Sequence, residues 1–236
     1  MKISAVMLTK NEQDTIDCTL QCLQHFDEII AIDASIDNTP KILKEYNAKV
    51  ITQQPQQFTT TEHPFHFGKA KNFAVQQATH DYVFLIDGDE TIHRDIYFWL
   101  QEHKLDTVHI PQVHMKTTRL YYQLGGERAR AGRKHCMIFD DSYNTNIKTE
   151  PTGTAPYALL NWGYAALNKR TAQRLFDSQH VHDGKGTWWE KFKVSTVNEM
   201  LQCFNEMPSK PLETLKTLKF PPTYTNPFFR EVINFE

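Results

Sequence analysis

Apolar residues fall in short runs of β-favouring types at 3–8, 28–32, 49–52 and 82–86, with helical spacing between them. Ile3-Ser4-Ala5-Val6-Met7-Leu8 reads as a strand that stops at Thr9. Asn11 then offers a helix N-cap, and Ile16, Leu20 and Leu23 share one helical face up to His25. Glu28-Ile29-Ile30-Ala31-Ile32 is a second strand ending in Asp33. Thr39-Pro40 opens a short helix whose apolar face is Ile42, Leu43 and Tyr46, and Lys49–Thr52 is a third strand. A Gln- and Thr-rich loop over 53–66 leads to a helix over 68–78, which feeds Tyr82-Val83-Phe84-Leu85-Ile86. That unbroken run predicts a strand buried on both faces. Strand and helix alternate throughout, which predicts an α/β fold with a mostly parallel sheet flanked by helices.

Past Glu90 the pattern loosens. Ile96, Trp99 and Leu100 predict a helix over 94–102. Val108, Ile110, Val113 and Met115 fit a half-buried strand, which Pro111 assigns to an edge or a bulge. The stretch 121–134 carries Gly125-Gly126 and the basic residues Arg128, Arg130, Arg133 and Lys134, and no element is assigned to it. Met137-Ile138-Phe139 reads as a short strand and 140–156 as loop. Helices are expected over 168–177 and 188–204, followed by an irregular tail with Pro208, Pro211, Pro221, Pro222 and Pro227.

Composition narrows the function classes. The net charge of the 236 residues is −2, so no global basic field draws the chain to nucleic acid or an anionic membrane. No apolar run approaches the roughly 20 residues of a bilayer span. Met1-Lys2-Ile3-Ser4 runs straight into a strand pattern, so no secretory leader is expected. Cys18, Cys22, Cys136 and Cys203 contain no C-x-x-C pair, which argues against a zinc site and for reduced thiols. The expected location is the cytoplasm, host cytoplasm for a viral protein, with peripheral contact at the inner face of a membrane left open.

The chemistry is concentrated where strands end. Asp87-Gly88-Asp89-Glu90 places three carboxylates around one glycine, and such a group is comfortable only with a cation between its members. Hard oxygen ligands there suit Mg²⁺ or Mn²⁺ carrying a phosphorylated substrate; an ordinary Asp-Gly turn is the plainer alternative. Thr9 with Asn11 and Glu12, then Asp33, then Asp87 with Asp89 all close predicted strands. In an open α/β sheet these ends line the ligand-binding edge. Asp33 can accept a hydrogen bond from a uracil N–H or a ribose hydroxyl, and Lys69 and Lys71 open the helix before the last strand. Asp33-Ala34-Ser35-Ile36-Asp37 fails as a calcium loop, because Asn38 stands where glycine is needed and Lys44 where the closing glutamate is. An Asx-turn capping the Thr39 helix is its plainer reading.

Thr9-Lys10-Asn11-Glu12, Asp33-x-Ser35-x-Asp37-x-Thr39, Gly68-Lys69-Ala70-Lys71-Asn72-Phe73-Ala74 and Leu85-Ile86-Asp87-Gly88-Asp89-Glu90 occur in that order. Together they resemble family 2 glycosyltransferases of the GT-A fold, nearest the small bacterial enzymes of lipopolysaccharide core assembly. The resemblance covers 1–95 well. It implies a Rossmann-like nucleotide-sugar-binding half over 1–115 and, in the same globular unit, a helical and irregular acceptor-side half over 116–236. It further implies a nucleotide-sugar donor, a UDP-sugar in the first instance, with Mn²⁺ or Mg²⁺ and inversion at the anomeric carbon. By position, Thr9, Asn11, Glu12, Asp33 and Ser35 would hold the nucleoside, and Lys71, Asn72 and Arg133 would lie by the donor. Asp87 and Asp89 would form the D-x-D pair.

The family's late catalytic Glu-Asp or His-Glu pair is missing. Glu150, in Thr149-Glu150-Pro151, is the first choice for base, with Asp140 and Asp141 behind it. His182 is the candidate third metal ligand. The expected acceptor is a glycan or lipid-linked glycan hydroxyl; a hydroxymethylated base in DNA is the alternative, permitted by the 128–134 basic cluster. Two other classes remain: a nucleotidyltransferase, disfavoured by the absence of glycine after the first strand, and a non-catalytic nucleotide-sugar-binding module.

Overall fold

The computed structural model describes residues 1–53, 58, 66–115, 120–140 (backbone alone for 120–127), 147, 149–162, 196, 198–199, 202, 209–211 and 214–219. Strands β1 (Ile3–Thr9), β2 (Glu28–Asp33), β3 (Lys49–Thr52) and β4 (Tyr82–Asp87) alternate with helices α1 (Ile16–Cys22), α2 (Thr39–Glu45) and α3 (Phe67–Gln77). After β4 come β5 (Glu90–Thr91), α4 (Ile96–His103), β6 (Thr107–Met115), β7 (Leu120–Arg133), β8 (Gly153–Thr154), β9 (Leu159–Asn161) and β10 (Lys210–Pro211). One sheet runs in the order β3-β2-β1-β4-β7-β6-β9-β5, with β8 on β6 and β10 on β7. The pairs among β3, β2, β1 and β4 are parallel, whereas β7 returns antiparallel between β4 and β6. The architecture is the expected α/β, Rossmann-like kind, and the sheet is mixed.

Alternation along β4 explains why both faces are covered. Tyr82, Phe84 and Ile86 join Met7, Ile16, Leu20 and Leu100 in the core beneath α1 and α4. Val83 and Leu85 point the other way, into Val6, Ala70, Ala74, Val75 and Phe139 beneath α3. Burying an aliphatic or aromatic side chain contributes about 1.5–3 kcal/mol, so this doubly covered strand is a strong anchor for whatever follows it.

Several elements depart from expectation. α1 begins at Ile16, not after Asn11, because Asn11 sits at φ 58 inside a turn and Thr15 is the N-cap. α2 has Asn38 at its N-cap, with the proline in its first turn. Pro111 lies inside β6, which is paired on both sides; register shifts around it show that the bulge, not an edge, accommodates the proline. β7 was unassigned in the pattern yet spans 14 residues. Gly132 lets it approach, since a Cβ there would collide with the Asp106 carbonyl oxygen. Met137–Phe139 forms no strand; Phe139 makes a single bridge to Ile147. The helix expected over 168–177 lies outside the described residues, as do most of the one over 188–204 and all the tail prolines except Pro211. No helix among the described residues is long and apolar enough to cross a membrane.

Candidate active site

Parallel pairing brings the strand ends to one rim. Thr9 is level with Asp33, and Leu8 with Asp87. Because β2 and β4 flank β1, Asp33 and Asp87 are separated by two strand spacings, roughly 10 Å. The Thr9 hydroxyl donates to Asp33 Oδ1 (2.8 Å) and Ser35 Oγ donates to the same oxygen (2.6 Å). No described side chain donates to Oδ2, so a buried carboxylate is oriented with one oxygen in reserve.

The loops after β1 and β2 are laced together. Asn11 N–H donates to Ser35 Oγ (2.7 Å), Ile36 N–H to Asn11 Oδ1 (2.9 Å), and Glu12 N–H to Thr39 Oγ1 (2.8 Å). Asp37 Oδ1 accepts both Thr39 N–H (2.9 Å) and its hydroxyl (2.6 Å), so the capping turn is present as well. Asn11, Glu12 and Ser35 therefore shape the rim through this lacing.

The Asp87-Gly88-Asp89 turn is held from three sides. Thr15, the N-cap of α1, and Thr19 within it donate their hydroxyls to Gly88 O (3.1 and 3.0 Å). Trp162 N–H donates to Asp89 O (2.8 Å), and Glu90 Oε2 accepts Asp87 N–H (2.9 Å). A Cβ on Gly88 would stand 3.0 Å from Glu12 Cγ and from Thr9 Cγ2, so glycine lets the turn press against the first loop. Arg130 on β7 reaches across to Glu90 Oε1 (2.6 Å) and Asp87 Oδ2 (3.4 Å). Gln112 on β6 donates to the same Glu90 oxygen (2.6 Å). Glu90 has no solvent exposure and Arg130 only 2%.

These contacts set the charge states. Burial alone would raise the Asp87 carboxyl, but the Lys71 and Arg130 cations outweigh it and hold the pKa below its usual range. Burial pushes Glu90 up against the pull of Arg130, with Asp87 and Asp89 adding to the rise. Burial lowers Lys71, opposed by Asp87. Burial and the nearby Arg128 bring His114 down to about 4, so it is neutral at ordinary pH.

The other sequence candidates divide. The Asn72 amide clamps Phe139 through both its atoms, donating to Phe139 O (2.9 Å) and accepting from Phe139 N–H (2.8 Å), so it organises the chain before Asp140. Arg133 is level with Tyr82, at the opposite rim, and pairs with Asp106 (2.8 Å). Lys134 Nζ donates to Ala78 O (2.6 Å) at the C-terminal end of α3. The basic run is thus split between rims: Arg128 and Arg130 lie toward the carboxylates, Arg133 and Lys134 away from them. Glu150 is also at the rim opposite Asp87. Its carbonyl accepts from Thr107 Oγ1 (2.9 Å), and Thr107 is level with Gly132 and hence with Val83. Four strand residues, roughly 13 Å, separate that level from Asp87. Asp140 follows Phe139 on an arm that rises beside α3, while Thr149, just before Glu150, donates to Cys136 O (3.0 Å) at the arm's base. Asp141 and His182 lie outside the described residues.

Whether these groups fit a divalent cation follows from the donor set. Asp87 and Asp89 provide hard oxygens, and among the described residues no group of three His, Cys, Asp or Glu side chains gathers at one point. That set fits a cation whose remaining ligands arrive on a diphosphate, the common arrangement for Mg²⁺-type sites.

A family model described as glycosyl transferase family 2 matches residues 4–145, more than half of the chain. The chain belongs to glycosyl transferase family 2. A curated relative of this family 2 chain, the poly(ribitol-phosphate) beta-N-acetylglucosaminyltransferase TarS of Staphylococcus aureus (strain Mu50), is 28% identical over 119 residues. Those residues are 46% of this chain and 20% of TarS. The chain therefore spans about a fifth of the length of the curated relatives it matches. Among solved structures, TarS aligns at TM-score 0.45 and 18% identity over 81% of this chain and 42% of its own. Glucosyl-3-phosphoglycerate synthase from Mycobacterium tuberculosis, solved with Mn²⁺, UDP and glucosyl-3-phosphoglycerate, aligns at TM-score 0.38 and 23% identity over 48% of this chain and 44% of its own.

Sequence reasoning passed over the partners that hold the turn: Glu90 in its pairing with Arg130, and Gln112, Thr15, Thr19 and Trp162. One signal was readable. Arg128-Ala129-Arg130-Ala131-Gly132 alternates long basic with small residues, the period of a strand.

Proposed function

We propose that this family 2 chain is an inverting glycosyltransferase that moves a sugar from a UDP-sugar to an acceptor hydroxyl, with Mn²⁺ or Mg²⁺ as cofactor. The observation that carries the reading is the shared rim, where Asp33 and the Asp87-Gly88-Asp89 turn close the two strands that flank β1. Asp33 Oδ2 accepts from the base or ribose, with Thr9 and Ser35 fixing the carboxylate. Asp89, assisted by Asp87, would hold the cation, which when bound would supply Lewis-acid neutralisation of the diphosphate. Lys71, Arg130 and Arg128 keep the field at this rim favourable to a departing anion.

Asp140 is the base in this reading. It takes the proton from the acceptor hydroxyl as that oxygen bonds to the anomeric carbon, while the bond from that carbon to the diphosphate breaks on the opposite side. Residues up to about 115, joined by Arg128 and Arg130 of β7, supply the donor side and the remainder the acceptor side. The likeness to TarS makes glycan and polyol-phosphate hydroxyls the first acceptors to try. Asp140→Asn is expected to lower kcat by about 10²-fold or more, and Glu150→Gln to leave it within about twofold; the reverse result in a coupled UDP-release assay would move the base to Glu150.

Ligand binding tests the donor site directly. Since the cation's ligands come partly from the donor, Mn²⁺ alone should barely raise the Tm, and UDP with Mn²⁺ should raise it by more than the sum of the separate shifts. Additive shifts would separate the metal from the nucleotide.

A further inference from the structure

We propose that Glu90 is a positioning residue for the rim carboxylates: its one side chain fixes the main-chain N–H of Asp87 and holds Arg130 against the Asp87 carboxylate. The inference rests on the glycosyltransferase reading for what the carboxylates bind, and on geometry for the rest.

Glu90 is fully buried, and both its oxygens are committed. Oε2 accepts Asp87 N–H (2.9 Å) across the turn, while Oε1 takes Arg130 Nη2 and Gln112 Nε2, both at 2.6 Å. Three donors from β4, β7 and β6 thus converge on one carboxylate, and no ligand can reach it. Its backbone is fixed independently, because Glu90 and Thr91 pair with Asn161 and Leu160 of β9. Trp162, next along, secures Asp89 O (2.8 Å) by its main chain and Thr91 Oγ1 (2.8 Å) by its indole N–H. A glutamine keeps one acceptor oxygen and turns its NH2 on a donor, so it cannot serve the Asp87 amide and Arg130 together, and a shorter side chain reaches neither; Arg130 is then left with the longer, 3.4 Å contact with Asp87. Arg130 would then draw the Asp87 carboxylate toward β7 and away from its partner on the turn.

Buried ion pairs often contribute little to net stability, whereas residues that orient ligating groups typically cost 10–100-fold in affinity when altered. Glu90 joins both descriptions, and the two are separable. Two readouts on the whole protein test it. In the unliganded protein, Glu90→Gln should speed hydrogen exchange at the Asp87 amide by about tenfold or more relative to amides within β1. In calorimetry with UDP and Mn²⁺, it should weaken binding by about tenfold or more, with donor KM rising further than kcat falls. Gln112→Leu, which keeps both charges and removes one hydrogen bond, should move both readouts in the same direction by about threefold, covering the case in which Glu90→Gln does not fold. Exchange and UDP–Mn²⁺ affinity within twofold of wild type in either folded variant would overturn the assignment. Wild-type protein that shows no UDP–Mn²⁺ binding would instead overturn the donor reading, while the exchange experiment still decides the role of Glu90.

Discussion

Asp89→Ala should abolish most sugar transfer while leaving the protein folded. Asp89 is 6% exposed at the rim, and its backbone carbonyl accepts Trp162 N–H (2.8 Å). Alanine keeps that hydrogen bond. It removes the carboxylate proposed to hold the cation on the diphosphate. Metal neutralisation of a departing group is worth several kcal/mol, and each factor of ten corresponds to about 1.4 kcal/mol, so turnover should fall on the order of a hundredfold or more. UDP release measured over a Mn²⁺ titration, beside a thermal melt within a few degrees of wild type, checks it. Unchanged turnover would remove the metal role. Asp87→Ala is a poorer probe, because Asp87 also balances Lys71 and Arg130, and its loss would mix catalysis with stability.

The largest stability effect is expected at Arg130→Met. Arg130 is 2% exposed and is the only cation that the structure places in ion-pair contact with Glu90, at 2.6 Å, among the described residues. Removing one member of a buried pair strands the other, which typically costs about 3–5 kcal/mol. The urea midpoint should drop accordingly with an unchanged m-value. Arg130→Lys should recover part of the loss, since an ammonium cannot address Glu90 and Asp87 with the planar fork of a guanidinium. A loss below about 1 kcal/mol would equate the pair with an exposed one and contradict its structural importance.

Which parts of this arrangement could be read from the sequence follows from how local each signal is. β1, β2 and β4 were legible because doubly buried parallel strands are continuous apolar runs, and the rim acids stand at the ends of those runs. The late start of α1 was not legible, because the loop containing Asn11 is shaped by Ser35 and Thr39 from a different turn. β7 was hidden by Gly125-Gly126 and by arginines, charged residues that rarely mark a buried strand, although Arg130 is buried against the acid it pairs with. Pro111 left an edge and a bulge open, because only the paired sheet shows which one accommodates it. Only its order along the chain points to Glu150. Order cannot say to which rim a returning arm descends, and the Thr107 and Thr152 contacts carry this one to the far side.

The most direct test is a crystal grown with UDP and Mn²⁺ and measured at a wavelength where manganese scatters anomalously. The account predicts one strong peak against the Asp89 carboxylate, with the diphosphate on its far side and the nucleoside reaching Asp33. A peak at the opposite rim, near Glu150 and Arg133, or a nucleotide bound away from Asp33, would contradict it.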